Sequence, residues 1–189
     1  MKRTKSTYLT LLTVLLSPMA ANADPILFSD NGHWYEYVSG DLTWGDARLA
    51  ALASSHMGSS GYLATVTSEA ENDFLYALLL AAEGDGGWLG GTDEETEGSF
   101  KWADGPEAGQ LFSYTNWAPL EPNECCQGED YVHLTTINAG GWNDLATDNL
   151  TYFLTGYFVE YNAVPEPGTL ALLGIGLFGM VLARRRKTV

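Results

Sequence analysis

Residues 121–130 read EPNECCQGED and place four carboxylates, an asparagine, a proline and two adjacent cysteines in ten positions. Carboxylates this close repel one another, so the folded chain must either spread them into water or bind a cation among them. A second polar stretch, WND at 142–144, adds an amide and a carboxylate. The oxygen donors that we single out are Glu121, Asn123, Glu129, Asn143 and Asp144.

Calcium is the cation that this donor set favours. It takes roughly six to eight hard oxygen ligands, and mixing neutral amides with carboxylates limits repulsion in the empty site. Magnesium is smaller and strictly octahedral, so it suits a roomy cluster less well. The histidines at 33, 56 and 133 are scattered and form no zinc spacing, so we interpret them as structural or surface residues.

Around these stretches the pattern predicts an α+β domain. The predicted order is a strand at 33–38, a helix at 42–56, a strand at 61–66 and a helix at 67–84. Thr43 is the expected N-cap of the first helix, and Ser68 with Glu71 forms a capping box for the second. Beyond residue 86, short aromatic runs alternate with Gly, Asn and Asp, which indicates short strands and long loops. Long loops in a compact domain are usually functional.

Both ends of the chain look like targeting segments. Residues 1–23 have a basic start, an apolar stretch and a small-x-small end, Ala21-Asn22-Ala23, which is typical of a signal peptide. Residues 164–189 contain Pro165-Glu166-Pro167, an apolar stretch and the basic cluster at 184–187. The apolar stretch, about 15 residues, is short against the roughly 20 that span a bilayer, and the basic cluster would stay cytoplasmic.

The tail permits two interpretations. One is a short membrane anchor. The other rests on a resemblance, because this order of motif, apolar segment and arginines resembles a PEP-CTERM sorting signal. That resemblance implies recognition at the inner membrane of a bacterium, cleavage by an exosortase, and a product that is secreted or held at the cell surface or extracellular matrix.

The remaining domain, residues 24–163, is strongly acidic. It contains 23 of the 24 acidic residues and only two of the nine basic ones, Arg48 and Lys101, for a net charge of −21. Such a surface argues against nucleic acid and anionic lipid as partners and attracts cations. Membrane contact is expected only through the tail before processing. Neighbouring cysteines cannot link distant parts of the chain, so packing must hold the core together.

Several motifs in register resemble the C-type lectins, in particular the mannose-type group of carbohydrate-recognition domains. They are WLGG at 88–91, TDEETEGSFKWADG at 92–105, YTNWAPLEPN at 114–123, the Glu-Asp pair at 129–130, WND at 142–144 and YFVEY at 157–161. The resemblance implies two helices flanking short antiparallel sheets, with a long calcium-binding loop region. It also implies that the tryptophans at 88, 102, 117 and 142 are core residues.

The resemblance also implies a site. Glu121, Asn123, Glu129, Asn143 and Asp144 would bind one calcium, Asp144 also through its backbone carbonyl, with a cis bond before Pro122. Two neighbouring sugar hydroxyls would complete the metal's coordination and hydrogen-bond the same side chains. In the family, Glu-Pro-Asn accompanies mannose, glucose, N-acetylglucosamine and fucose, whereas Gln-Pro-Asp accompanies galactose. The alternative is an acidic loop exposed to water.

The chain departs from the family pattern in two respects. An auxiliary calcium site would use Asp93, Glu97, Glu124 and Asp130, but Glu124 stands where a shorter Asp is usual, and the alternative is an acidic rim. Ala51 and Val159 occupy the places of a usual disulfide, and Tyr131 replaces another cysteine. Cys125 and Cys126 permit three interpretations. They are two ordinary residues, they form a vicinal disulfide, or one of them forms an intermolecular bridge and so an oligomer.

The sequence thus predicts an exported, calcium-dependent carbohydrate-binding module with no catalytic residues. The alternative is a calcium-stabilised protein-interaction or adhesion module of the same fold without sugar binding. A glycosidase with a carboxylate pair is a third class. It is disfavoured because each candidate carboxylate is already assigned to a metal.

Overall fold

The structure, a computed structural model, describes residues 24–123, 125, 128–136, 139–146 and 154–163. The predicted signal peptide and sorting tail lie outside these residues. The elements in chain order are β1 (Ile26–Leu27), β2 (Trp34–Ser39), α1 (Trp44–Ala53), β3 (Ser55–His56), β4 (Ser59–Leu63), α2 (Glu69–Ala81), β5 (Gly86–Thr92), β6 (Lys101–Trp102), β7 (Tyr131–Thr135), β8 (Trp142–Leu145) and β9 (Gly156–Tyr161). In this part of the chain no helix is long and apolar enough to span a bilayer.

Both predicted helices form, and both begin at the predicted caps. The hydroxyl of Thr43 accepts the N–H of Asp46 at 3.1 Å, and that of Ser68 accepts the N–H of Glu71 at 3.2 Å. The second half of the predicted capping box is wrong. The carboxylate of Glu71 accepts the backbone N–H and hydroxyl of Thr67 instead of the N–H of Ser68. It is drawn there because its other oxygen accepts the hydroxyl of Tyr35.

The strands form one mixed sheet in the order β1-β2-β9-β5-β7-β8, and β4 pairs with β9. Most pairs are antiparallel, as the resemblance implied, but β5 and β9 run parallel, with Gly87 opposite Gly156 and Trp88 opposite Tyr157. Parallel neighbours need a long connection between them. Here that connection is the whole loop-rich region from β6 to β8, so the region is anchored to the sheet at both ends.

The core consists of two clusters of buried side chains. The first includes Leu75 and Leu79 of α2, packed with Phe158 of β9 and Trp102 and Trp142 of the loop-rich half. The second surrounds α1 and contains Ala51, Val159 and Trp88. Ala51 and Val159, which the resemblance places at the positions of a usual disulfide, are both fully buried in this second cluster. Apolar packing therefore surrounds both positions.

Buried carboxylates form a polar layer beside the first cluster. Glu160 accepts from the ring Nδ1 of His33 at 2.6 Å and from the backbone N–H of Thr65 at 2.9 Å. Its bond to His33 raises the pKa of that histidine, against a lowering by burial. Burial raises the pKa of Glu71 in the same layer, where Tyr35 donates to it. Each buried acid thus has hydrogen-bond donors, as a charge in the interior requires.

Candidate metal centre

The most buried residue of the predicted site is Asp144, which is 1% exposed. It lies on β8, opposite Val132 of β7. The adjacent Trp142 fixes this strand, since its indole N–H donates to Asn72 at 2.7 Å and its backbone bonds Asn116 and Ala118. The fully buried Trp142 therefore fixes the strand that carries the carboxylate of Asp144.

The Glu-Pro-Asn turn packs directly against this carboxylate. The bond between Glu121 and Pro122 is cis, as the resemblance implied. The N–H of Glu121 closes a turn onto the carbonyl of Ala118 at 3.0 Å. The backbone N–H of Asn123 donates to Oδ1 of Asp144 at 3.2 Å. Two stretches separated by about twenty positions in the sequence therefore meet at one point.

The side chains of this turn also contact each other. The amide of Asn123 donates to a carboxylate oxygen of Glu121, and its own Oδ1 accepts the N–H of Cys125 at 2.9 Å. Asn143 donates its amide to the backbone carbonyl of Asp144 at 2.8 Å. Glu129 is buried immediately before β7. The contacts thus connect Glu121, Asn123, Asn143 and Asp144 directly, and Glu129 lies two residues before β7, the strand that pairs with β8.

The electrostatics of Asp144 suit a bound cation. Its Oδ2 is buried and has no hydrogen-bond partner. Burial, with a smaller contribution from the negative charges of Glu121 and Asp93, raises its pKa to about 6. An orphaned, buried carboxylate oxygen among other acids is unfavourable unless a proton or a cation neutralises it. The residues present therefore suit a metal with oxygen ligands.

The predicted auxiliary cluster shows the same signature. Oδ1 of Asp93 is buried without a partner, while its Oδ2 accepts the N–H of Gly98 at 2.8 Å. Burial raises the pKa of Asp93 to about 6, and the nearby charges of Glu97 and Asp130 contribute. The pKa of Asp130 is also raised, first by burial and then by acidic neighbours. Glu124, the fourth predicted ligand, lies outside the described residues.

Acidic side chains alone do not complete either cluster. Among the described residues, no three His, Cys, Asp or Glu side chains converge closely enough to hold a metal ion. The amide oxygens of Asn123 and Asn143 are therefore essential to the predicted ligand set. No histidine belongs to the predicted ligand set. Burial lowers the pKa of His133 to about 4, and its ring lies edge-on to Trp88.

Some features of the site were not expected from the sequence. Glu94 contributes to the raised pKa of Asp130, so the acidic rim extends beyond the predicted set. Trp117 is only partly buried, unlike the tryptophans at 88, 102 and 142, so its prediction as a core residue holds only in part. Sequence spacing indicates neither the proximity of Glu94 to Asp130 nor the exposure of Trp117, because both depend on how the loops fold.

The cysteine next to the site is oxidised. Cys125 is disulfide-bonded. The chain has one other cysteine, Cys126, which lies outside the described residues. Of the three interpretations of this pair, an ordinary thiol at 125 is thereby excluded. The oxidised residue follows Asn123 by two positions and donates its backbone N–H to that side chain.

Comparison with known proteins agrees with this geometry. The Lectin C-type domain family matches residues 41–154, and the PEP-CTERM protein-sorting motif matches 163–187. Halomucin of Haloquadratum walsbyi is 39% identical over a 153-residue alignment that covers 76% of this chain and 2% of halomucin. The low affinity immunoglobulin epsilon Fc receptor of Mus musculus is 36% identical over 110 residues, 58% of this chain and 29% of the receptor. The chain thus spans only a small part of these relatives.

Solved structures show the same similarity. The EPNH mutant of CEL-I, a lectin from Cucumaria echinata, aligns with a TM-score of 0.62 and 25% identity, covering 79% of this chain and all of that one. The carbohydrate-recognition domain of cow CD23, solved in the presence of a GlcNAc2Man3 oligosaccharide, aligns with a TM-score of 0.57 and 30% identity. That alignment covers 75% of this chain and 95% of the cow domain.

Proposed function

The chain belongs to the C-type lectin domain family, and we propose that residues 24–163 bind carbohydrate through a calcium ion held by Glu121, Asn123, Glu129, Asn143 and Asp144. The observation that carries the proposal is the contact between the Asn123 backbone and Asp144, which leaves Oδ2 of Asp144 buried and unpartnered. The resemblance of Glu-Pro-Asn to the mannose-type signature points to mannose, glucose, N-acetylglucosamine or fucose.

Each side chain has a definable task in this proposal. The buried Asp144 supplies the fixed charge, since β8 and Trp142 hold it in place. Glu121 and Asn123 are half-exposed, so their outer atoms remain available to a ligand. A carboxylate accepts a hydroxyl proton and an amide N–H donates to a hydroxyl oxygen, so the pair reads two adjacent hydroxyls with opposite polarity. When bound, calcium supplies a Lewis-acidic centre that polarises those hydroxyls.

A metal titration tests the primary site. We expect calcium binding with a dissociation constant of about 0.1–1 mM, the range of extracellular modules. Asp144→Asn should lose calcium binding at the primary site and retention on mannose resin. Asp73→Asn is the matched control, since it makes the same chemical change at an exposed position of α2. Absence of calcium uptake by the wild type below about 10 mM would refute the proposal.

The auxiliary calcium site is part of the same proposal. It would use Asp93, Glu97, Glu124 and Asp130, and the orphaned oxygen of Asp93 supports it. Asp93→Asn should lower the calcium stoichiometry from two to one while retention on mannose resin persists. A stoichiometry of one in the wild type would leave these residues as an acidic rim.

A second function, protein interaction, is favoured by one comparison. A relative 36% identical to this chain carries the name of an immunoglobulin receptor. A calcium-stabilised adhesion module without sugar binding would show calcium uptake and thermal stabilisation, yet no retention on any resin of the four expected sugars. We propose no catalysis for either function, and turnover of a chromogenic glycoside would contradict that.

We also propose that the chain is exported and processed. The match to the PEP-CTERM motif supports a sorting tail that follows residue 163. In its host, the mature protein should lack the segment after Pro165 and be found outside the cytoplasm, with the membrane-bound form as an intermediate. Intact mass spectrometry that finds residues 184–189 on most of the protein would instead support a permanent anchor.

A further inference from the structure

An uncharged groove of about 340 Å³, lined by both apolar and hydroxyl side chains, adjoins the candidate site. Its walls include Leu111, Phe112 and Trp117, and it reaches Pro122. Pro122 lies between Glu121 and Asn123, so one wall of the groove is the loop that carries two proposed calcium ligands. A volume of this size is within the range of small-molecule sites.

The aromatic side chains of the groove are fixed by their neighbours. Phe112 stacks on the buried Trp102, with ring centroids 4.1 Å apart, and Trp117 lies 4.8 Å from Phe100. Both Phe112 and Trp117 are only partly buried. Their exposed surfaces therefore have little freedom to collapse and close the groove, so ordering them on ligand binding loses little entropy.

The groove is uncharged although the domain is strongly acidic. None of its lining residues carries a charge, whereas residues 24–163 have a net charge of −21. Leu111 at its edge is 61% exposed. An ion or a polyelectrolyte has no partner here, and a cation would be drawn instead to the acidic clusters. The chemistry of the lining indicates a neutral ligand with an apolar surface.

Two hydroxyl side chains distinguish a sugar from a hydrocarbon. Ser99 and Thr115 line the same groove as the aromatic residues. A pyranose ring has an apolar face of C–H groups and a rim of hydroxyls, so it matches an apolar wall with nearby hydroxyl partners. An alkyl chain would leave these hydroxyls without partners.

We propose that this groove binds the second sugar residue of a neutral glycan whose terminal residue is held by Glu121 and Asn123. The inference rests on the proposed function and narrows it, because the preferred ligand becomes a linked oligosaccharide and not a single sugar. The apolar face of the second ring packs on Trp117, Phe112 and Leu111, and its hydroxyls bond Ser99 and Thr115.

The test compares affinities for single and linked sugars in about 10 mM calcium. The probes are methyl α-D-mannoside against α1,2-, α1,3- and α1,6-linked mannose disaccharides, and N-acetylglucosamine against its β1,4-linked dimer. At least one disaccharide should bind the wild type at least about fivefold more tightly than its monosaccharide, which exceeds the twofold statistical gain of two equivalent rings.

Two groove variants and one control assign that difference to the groove. Thr115→Trp, at an exposed position, should fill the groove and remove the disaccharide's advantage while monosaccharide affinity stays unchanged. Leu111→Ser should reduce the advantage. Leu80→Ser is the control, since Leu80 is 51% exposed on α2 and should leave the ratio of affinities as in the wild type.

The outcomes separate this inference from the function on which it rests. If disaccharides and monosaccharides bind the wild type equally, or both groove variants keep the wild-type ratio, the groove inference is wrong and the lectin function stands. If the wild type binds calcium but no probe sugar, the proposed function itself fails, and the inference fails with it.

Discussion

In the proposed function, the two side chains on either side of Pro122 determine which sugar is bound. Exchanging their types through Glu121→Gln with Asn123→Asp keeps the net charge and the number of oxygen ligands. The amide–carboxylate contact between them is also kept, with donor and acceptor reversed. Calcium should therefore still bind. The hydrogen-bond polarity offered to the sugar is inverted, and each mismatched hydroxyl loses roughly 1–3 kcal/mol, or about ten- to a hundredfold in affinity.

Glycan binding and calcium titration of the swapped protein check this prediction together. Mannose and N-acetylglucosamine binding should fall by at least about tenfold, and weak galactose binding should appear. The unchanged calcium affinity serves as the internal control for a folded loop. Wild-type affinity for mannose in the swapped protein would show that these side chains do not read the sugar.

A second residue-scale prediction concerns His33. Its pKa is raised because its ring bonds the buried carboxylate of Glu160, with Glu107 and Glu71 as further negative neighbours. A histidine whose pKa is raised in the folded state stabilises the protein. This contribution is fully present below the unfolded-state pKa of about 6.5, and it is lost as the pH rises through the folded-state pKa. His33→Gln should lower the free energy of unfolding by about 1–2 kcal/mol at pH 5.5, and by less at pH 9.

Thermal melts at the two pH values check the His33 prediction. His56→Gln is the control, because His56 contacts the rings of Trp34 and Tyr161 and has no carboxylate partner in the described structure. The control shows the effect of losing an imidazole that has no carboxylate contact. An equal loss for His33→Gln at pH 5.5 and pH 9 would contradict the assigned role of the charge.

For single residues, the sequence predicts the chemistry of a side chain better than it predicts how deeply that side chain is buried. The sequence predicts both Asp144 and Glu121 as ligands, since residue type and motif indicate hard oxygen donors. That Asp144 is almost wholly buried while Glu121 is half-exposed depends on the packing of Trp142 beneath β8. The hydrogen bond from Thr67 to Glu71 could not be predicted for the same reason. It follows from the contact between Glu71 and Tyr35, which are separated by 36 positions in the sequence.

At the element scale, two glycines with opposite environments provide a paired prediction. A Cβ on Gly90 of β5 would meet the backbone carbonyl oxygen of Leu63 at 2.6 Å, and backbone has little freedom to move. Gly90→Ala should therefore destabilise the domain by about 1–3 kcal/mol. A Cβ on Gly45 of α1 meets nothing within 4 Å, so Gly45→Ala should stabilise it by about 0.5–1 kcal/mol.

Urea unfolding midpoints at constant m-value check this pair. Both variants make the same chemical change, Gly to Ala. Stability changes of opposite sign therefore isolate the steric contact between β5 and β4. If Gly90→Ala is as stable as the wild type, β4 does not approach β5 as closely as described.

Long elements were predictable and short ones were not. The caps at Thr43 and Ser68 and the alternation at 33–38 correctly indicated α1, α2 and β2. The two-residue strands β1, β3 and β6 have no periodicity to detect, since two positions do not establish a pattern. The parallel pairing of β5 with β9 is likewise a property of topology, because local sequence does not specify which distant strand becomes a neighbour.

At the scale of the whole molecule, uncompensated negative charge is the dominant electrostatic feature. The two basic side chains of residues 24–163 are both paired, Arg48 with Asp104 at 2.6 Å and Lys101 with Glu95 at 3.1 Å. Partly exposed pairs of this kind contribute little to stability. The acidic loops therefore retain their repulsion until cations relieve it, either by diffuse screening or by specific binding.

Calcium should therefore stabilise the whole domain, and a thermal melt separates specific binding from screening. An ion that binds only the folded state at about 0.1–1 mM adds about 1.4–2.7 kcal/mol at about 10 mM, which corresponds to a rise of roughly 4–8 °C for a domain of this size. Magnesium at equal concentration provides the screening control and should give a much smaller rise, since it suits this ligand set less well. Asp144→Asn should remove the part of the calcium effect that the primary site contributes. Equal stabilisation by the two cations in the wild type would mean that the acidic loops attract calcium only as a diffuse counterion. That result would contradict the proposed calcium site.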